Sequence, residues 1–260
     1  MFRLSRGIGG VHPDKIIDFG SFYLVNTTLL SILILLIFVA VSVSSYKRYK
    51  IKPGKFQVTA EVAVESMLDL LTQITGNVNM ATKILPVVGS MFVYIAVSNL
   101  IGLIPGLTSV LYNGATVFRG PTTDFNTTFG LAFGSILFLQ FISIRDFGVL
   151  GYLGKFFKFK EIYLGFRQSL GEGFMAIVDF FIGLLDIVGE LAKVVSLSLR
   201  LFGNMYAGDV LATLILGAFA YVLPITWSAM SLLSGVVQSI VFGSLITSYY
   251  MLSVKEEGSA

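Results

Sequence analysis

Ser196-Leu197-Ser198-Leu199-Arg200-Leu201-Phe202-Gly203-Asn204-Met205-Tyr206-Ala207-Gly208-Asp209 sets an arginine in the middle of a long apolar run. A guanidinium cannot shed its proton in a protein, and placing one in lipid costs from about 3 to above ~10 kcal/mol. Stability alone would select leucine at that position, so the charge reads first as functional. The plainer reading is a snorkelling arginine or a structural ion pair.

The rest of the chain explains why lipid is the relevant solvent. Of 260 residues, 55% are hydrophobic and 13% charged, with a mean hydropathy of +0.84. Runs of about 20 apolar residues recur, and no block between them could hold a separate soluble core. One polytopic membrane domain over residues 1–260 is expected, which excludes a soluble catalytic domain. Cysteine is absent and His12 is the one histidine, which removes disulfides, thiolate metal sites and haem ligation by paired residues. The net charge of +3 comes without a basic patch interleaved with aromatics, so no nucleic-acid partner is expected. Arg3 and Arg6 stand without an acid nearby, faintly like a targeting segment, but no cleavage-type site precedes the first span, and the N-terminus is read as mature.

The first span is 24–43, and it runs into the basic cluster Lys47, Arg48, Lys50, Lys52 and Lys55. The segments 44–83 and 144–171 hold six and five Lys or Arg, against three at the N-terminus and Arg119 alone in 106–125. The positive-inside bias puts the N-terminus outside, and five crossings bring Lys255-Glu256-Glu257 to the cytoplasmic side. Within 55–79, Glu61, Glu65 and Asp69 recur every four residues on one helical face, the pattern of a helix lying along the interface, with Gly76-Asn77 as its stop. Residues 84–105 and 127–144 form the next two spans, a hairpin joined by a Gly, Thr, Asn and Pro-rich loop. Asn99 sits inside the first of these. Asp124-Phe125-Asn126-Thr127-Thr128 opens the second, where Asp124 or Asn126 serves as a helix cap or lines a hydrated entry path.

From Gly171 the pattern changes. Glu172, Asp179, Asp186, Lys193 and Arg200 are spaced by seven, and each such step drifts only about 20° on an α-helix, so they form one slowly spiralling polar stripe. Glu190 lies about one turn from both Asp186 and Lys193. A helix over 172–218 would be near 70 Å long, more than twice the hydrocarbon thickness of about 30 Å. It is therefore strongly tilted, or broken near Gly189 or Gly203. Asp209 follows Arg200 by nine residues, which puts it on the opposite side of the helix and about 13 Å along it, while Asn204 stays on the arginine's side. The final helix, 221–254, carries Ser231, Ser234 and Gln238 with Gly235 on one small, polar stripe. That stripe suits close packing of another helix, but a buried glutamine also needs partners, and the arginine would be a good one.

No nucleophile paired with a base, metal-binding cluster or phosphate-binding glycine loop appears, so the chain is not catalytic alone and no cofactor is expected. Intramembrane carboxylates with one arginine are instead the components of an ion path with an electrostatic gate.

The stretch Ser196–Asp209 resembles the signature of subunit a of F-type ATP synthases, and the likeness extends to Asn99-Leu100-Ile101-Gly102-Leu103-Ile104-Pro105, to Asp124-Phe125-Asn126-Thr127-Thr128 and to the terminal helix with Gln238. The resemblance implies an all-α integral membrane fold: one upright transmembrane helix, an interfacial helix, a transmembrane hairpin and two long tilted membrane helices against a ring of c subunits. It implies a proton-translocating stator with two aqueous half-channels, coupling proton flow to ATP synthesis. The c-ring, the b subunit of the peripheral stalk, the other synthase subunits, lipid and protons are then its partners. Arg200 would face the ring carboxylates and separate the half-channels, with Asn204 and Gln238 beside it. Asp186 and Asp209, and with them Glu190, would carry protons, and Asn99, Asp124, Asp179 and Ser231 are candidates for lining the path. The family usually has Glu or His at the position of Asp209 and often His or Glu at that of Ser231, so an ionisable pair is here reduced to one member. It also commonly has Pro at the position of Val194, which bears only on local helix shape. A bacterial plasma membrane is favoured over a mitochondrial inner membrane. The other readings are a stand-alone proton- or sodium-coupled carrier, for which no internal repeat is visible, and a non-conducting scaffold.

Overall fold

The computed structural model of the protein describes residues 15–18, 23–46, 54–104, 111–112, 115–156, 170–218 and 223–258. Arg3, Arg6, His12, the cluster from Lys47 to Lys52 and the loop with Lys158, Lys160 and Arg167 lie outside the described residues.

Among the described residues six helices carry the architecture: α1 (Asn26–Tyr46), α2 (Lys55–Thr75), α3 (Val78–Gly102), α4 (Phe125–Phe156), α5 (Leu170–Ala218) and α6 (Leu223–Gly258). Among the described residues four stretches are long and apolar enough to cross a membrane: Asn26–Ser45, Val78–Gly102, Phe125–Arg145 and Ile225–Val254. The fold is that of an all-α, multi-pass membrane protein. Two small antiparallel hairpins, β1 (Lys15–Asp18) with β2 (Tyr23–Val25) and β3 (Leu111–Tyr112) with β4 (Ala115–Thr116), add to the expected helices. The second has a sequence signal, since Asn113-Gly114 between its strands is a dipeptide that two-residue hairpin turns favour.

α2 ends at Gly76, whose φ of 67° is left-handed and whose N–H donates to the Thr72 carbonyl. Glu61, Glu65 and Asp69 stay exposed, whereas Leu71 is buried as the helix packs on α3. Asn77 caps α3 by accepting from the Asn79 N–H at 2.9 Å, so α3 starts at Val78, earlier than the expected residue 84. Its first turns carry the polar Asn79, Thr82 and Lys83. Pro86 lies inside α3, a position that membrane helices tolerate when neighbours cover the freed backbone. The helix unwinds through short-range bonds from Leu103 and Ile104, just ahead of Pro105, a residue that disfavours helical geometry before it.

α4 is longer than the expected 127–144 and contains a break at Gly148, where φ is 80°. Its start is fixed from the loop. Asp124 is 4% exposed; its carboxylate accepts from the Asn126 N–H (3.1 Å), the Thr27 hydroxyl at the head of α1 (2.9 Å) and the Thr127 hydroxyl (3.4 Å). Asn26 meanwhile donates to the Thr116 carbonyl at 3.2 Å, tying α1 to the second hairpin. The capping alternative for Asp124 is thus realised in its geometry.

α5 runs for 49 residues without a break, so neither Gly189 nor Gly203 interrupts it. Its length is about 73 Å, and α6 with 36 residues reaches about 54 Å. By packing, the chain forms two compact units. One comprises Met1–Thr128 with Leu199–Thr247, the other Phe129–Ser198 with Ser248–Ala260. The core of the first includes Leu30, Ile34, Ile84, Ile95, Leu201, Phe242 and Ile246; that of the second includes Ala132, Ile136, Val194, Leu197 and Tyr250. Many large apolar side chains remain outside, Leu36 and Leu185 among them, as befits surfaces that meet lipid or other apolar helices.

Replacing Gly76 with alanine forces a Cβ into the left-handed region and should destabilise the α2–α3 turn by about 1 kcal/mol. A denaturant midpoint of the detergent-solubilised protein measures this, and Gly76→Asn, which tolerates that backbone better, should lose less than Gly76→Ala.

Candidate functional site

α5 turns Leu201 into the core, fully buried, and thereby sends Arg200 outward. The exposed face continues through Gly203, Asn204 and Ala207, so small side chains border the guanidinium. Among the described residues no carboxylate lies within ion-pair distance of Arg200. The charge stands open to whatever covers this face.

Asn204, one turn beyond Arg200, bridges to α6. Its Nδ2 donates to the Ser234 Oγ and to the Gln238 Oε1, both at 3.2 Å. Gln238 is 6% exposed, and its Nε2 has no protein acceptor. The small polar stripe of α6 therefore serves as more than a packing seam: two of its members hold Asn204 in place. Ser231, the third, is half-buried. Behind the stripe, Asn99 of α3 donates through Nδ2 to the Gly235 carbonyl at 3.0 Å.

The approach to Asp209 is braced by aromatics. The Phe202 ring meets Phe125 edge-on at 5.8 Å and stacks on Tyr206 at 5.2 Å. The indole N–H of Trp227 donates to the Gly208 carbonyl at 3.2 Å, joining the start of α6 to α5. Asp209 itself is exposed, and its backbone carbonyl accepts from Thr213. Phe202 and Tyr206 are four apart on one helix, but the braces from Phe125 and Trp227 have no signal in the sequence, because those residues lie far from 202–208 in the chain.

Asp186, Glu190 and Lys193 belong to the other unit. There, Lys193 forms a 2.8 Å ion pair with Glu190 and sits 5.4 Å from the centre of the Tyr249 ring. The turn that separates Glu190 from Lys193 in the sequence is thus closed by an ion pair. Asp186 is half-buried, and the side chain of Asp179 falls outside the described residues. No cluster of His, Asp and Glu suited to a metal ion occurs among the described residues. The first unit thus gathers Asn204, Ser234, Gln238 and Asn99 where α5, α6 and α3 meet, with Arg200 one turn from Asn204 on the exposed face of α5.

Residues 25–251 match the family model described as ATP synthase A chain. Relatives named ATP synthase subunit a include that of Desulforamulus reducens, 32% identical over 206 residues covering 76% of this chain and 66% of the relative. That of Moorella thermoacetica is 27% identical over 239 residues, covering 92% and 95% of the two chains. That of Syntrophobacter fumaroxidans is 28% identical over 245 residues, covering 94% and 90%. Because the family match takes in all six helices and the whole Arg200–Asn204–Gln238 arrangement, the chain belongs to the ATP synthase A chain family, the a subunits of the membrane sector.

Proposed function

We propose that the chain is the stator against which a ring of c subunits turns, and that it conducts protons through two aqueous half-channels separated by Arg200. The observation that carries this is a guanidinium on an exposed, small-residue face with no counter-charge among the described residues. Within a bilayer such a charge needs a partner. A carboxylate brought to about 4 Å by another subunit would gain roughly 4 kcal/mol at an effective dielectric of 20.

That energy acts on protonation. As a protonated ring carboxylic acid nears Arg200, the cation favours the ionised form, and the proton leaves into one half-channel. The carboxylate passes the arginine and takes up a proton from the other half-channel on its far side. A proton attempting to cross directly would have to approach the fixed positive charge, so the guanidinium also blocks the leak. Asn204, held by Ser234 and Gln238, keeps the neighbouring surface of α5 in register. Gly203 and Ala207 let a partner helix approach closely.

Asp209, on the opposite side of α5 from Arg200 and about 13 Å along, is placed to pass protons in one half-channel. Asp186, with Glu190 held by Lys193, is placed to serve the other. Asp179, Ser231 and Asn99 are candidates for lining. A helix about 73 Å long, more than twice the bilayer core, lies strongly tilted along the ring, and α2 lies along the interface. The b subunit and the remaining synthase subunits complete the stator, with the N-terminus outside and the C-terminus inside a bacterial plasma membrane. The driving force is about 2.3 kcal/mol per proton per 100 mV.

Arg200→Ala should abolish ATP-driven proton pumping in membrane vesicles of the assembled complex; normal coupled pumping would sink this reading. Asp209→Asn should slow proton flow while Asp209→Glu retains it, and equal rates in the two would remove Asp209 from the path. Asp124→Asn keeps a good helix cap without the charge. Pumping near the parental rate is expected, whereas a loss as deep as that of Asp209→Asn would return Asp124 to the proton route.

A further inference from the structure

Gly235 lies in the interior of α6, where glycine costs about 1 kcal/mol relative to alanine. Its surroundings explain the residue. A Cβ built there would stand 3.0 Å from the Cβ and 3.7 Å from the Nδ2 of Asn99. The same asparagine donates to the Gly235 carbonyl at 3.0 Å and is 1% exposed. The contact is therefore backbone against side chain, so close that any residue larger than glycine would make Asn99 give way by a few tenths of an ångström.

Its position gives the contact a consequence. Ser234 precedes Gly235, and Gln238 follows it by three, so the two acceptors of Asn204 flank the point where α3 touches α6. Both of those hydrogen bonds are 3.2 Å long, at the outer edge of good N–H···O geometry, and leave little room for α6 to move away. The Asn99 Oδ1 and Gln238 Nε2 are buried without protein partners, so neither side chain has a competing anchor among the described residues.

We propose that Asn99 is a positioning residue for the proton site: by docking against Gly235 it sets the spacing of α3 and α6, and so holds Ser234 and Gln238 within reach of Asn204. This rests on the role given above to Gln238, and it moves Asn99 from lining a channel to placing its wall.

The chain contains no cysteine, so introduced thiols report distance without background. In assembled complexes carrying Asn204→Cys and Ser234→Cys, cross-linking by a short bifunctional methanethiosulfonate should fall about tenfold when Gly235→Ala is added, and in the Gly235→Ala, Asn99→Gly pair should recover to the roughly threefold loss of Asn99→Gly alone, because the clashing Cβ is gone but so is the amide donor. In complexes without introduced cysteines, ATP-driven proton pumping should keep the same order, down about tenfold with Gly235→Ala and in the pair back to the level of Asn99→Gly alone. Should Gly235→Ala fail to assemble, Asn99→Ala takes its place, expected to lower cross-linking about threefold by losing the amide donor. Unchanged cross-linking in the single variant, or no recovery in the pair, overturns the proposal. Cross-linking that responds while pumping stays constant upholds the docking and refutes the role of Gln238 in proton transfer.

Discussion

A guanidinium that stays charged in an apolar surround must be compensated, and the fold is arranged around how little of that compensation the chain itself supplies to Arg200. Of the acids on its own helix, Asp209 lies nine residues on and on the opposite side, and Glu190, ten residues back, is engaged by Lys193 at 2.8 Å. Asn204, one turn away, turns its amide to Ser234 and Gln238. What remains is a cation on an open face bordered by Gly203 and Ala207. A structural arginine would have been paired within the chain, because an unpaired charge at such a site costs several kcal/mol. Leaving it unpaired is tolerable only if the counter-charge arrives from outside.

The length of α5 serves the same end. A helix of 49 unbroken residues can carry acids on a spiral stripe and still present Arg200 rigidly, since its backbone bonds are satisfied internally throughout. A break near Gly203 would have freed carbonyls beside the guanidinium and offered it a local partner. Continuity thus keeps the arginine uncompensated. Rigidity then has to come from side contacts, and these are modest: Phe125 and Tyr206 on Phe202, the Trp227 bond to Gly208, and the Asn204 bridge.

Much of this was legible in the sequence because it is local. The run from Ser196 to Asp209 announces its charge against an apolar background, the period of seven announces a polar stripe, and Gly76-Asn77 announces the stop of α2, which the left-handed φ of 67° at Gly76 realises. The less legible features are relations across the chain. Asn99 and Gly235 are 136 residues apart, and neither is unusual where it stands. The sharing of Glu190 was a choice between two cations on one stripe, which spacing alone left open. The early start of α3 was masked by Asn79, Thr82 and Lys83, polar residues that α3 accommodates in its first turns. The break at Gly148 has no proline or polar cluster to mark it.

The carboxylates separate by the same test of satisfaction that singles out the arginine. Asp124 is buried, and its two oxygens receive a backbone N–H and the hydroxyls of Thr27 and Thr127, so its charge is fixed in place by a cap and a tertiary bond. Those bonds tie the start of α4 to the head of α1, which is a structural task. Asp209 is exposed at a helix surface whose neighbouring backbone is braced by Trp227. Its position is held through the main chain while its side chain stays on the exposed face of α5, in keeping with the proton-carrying role proposed for it.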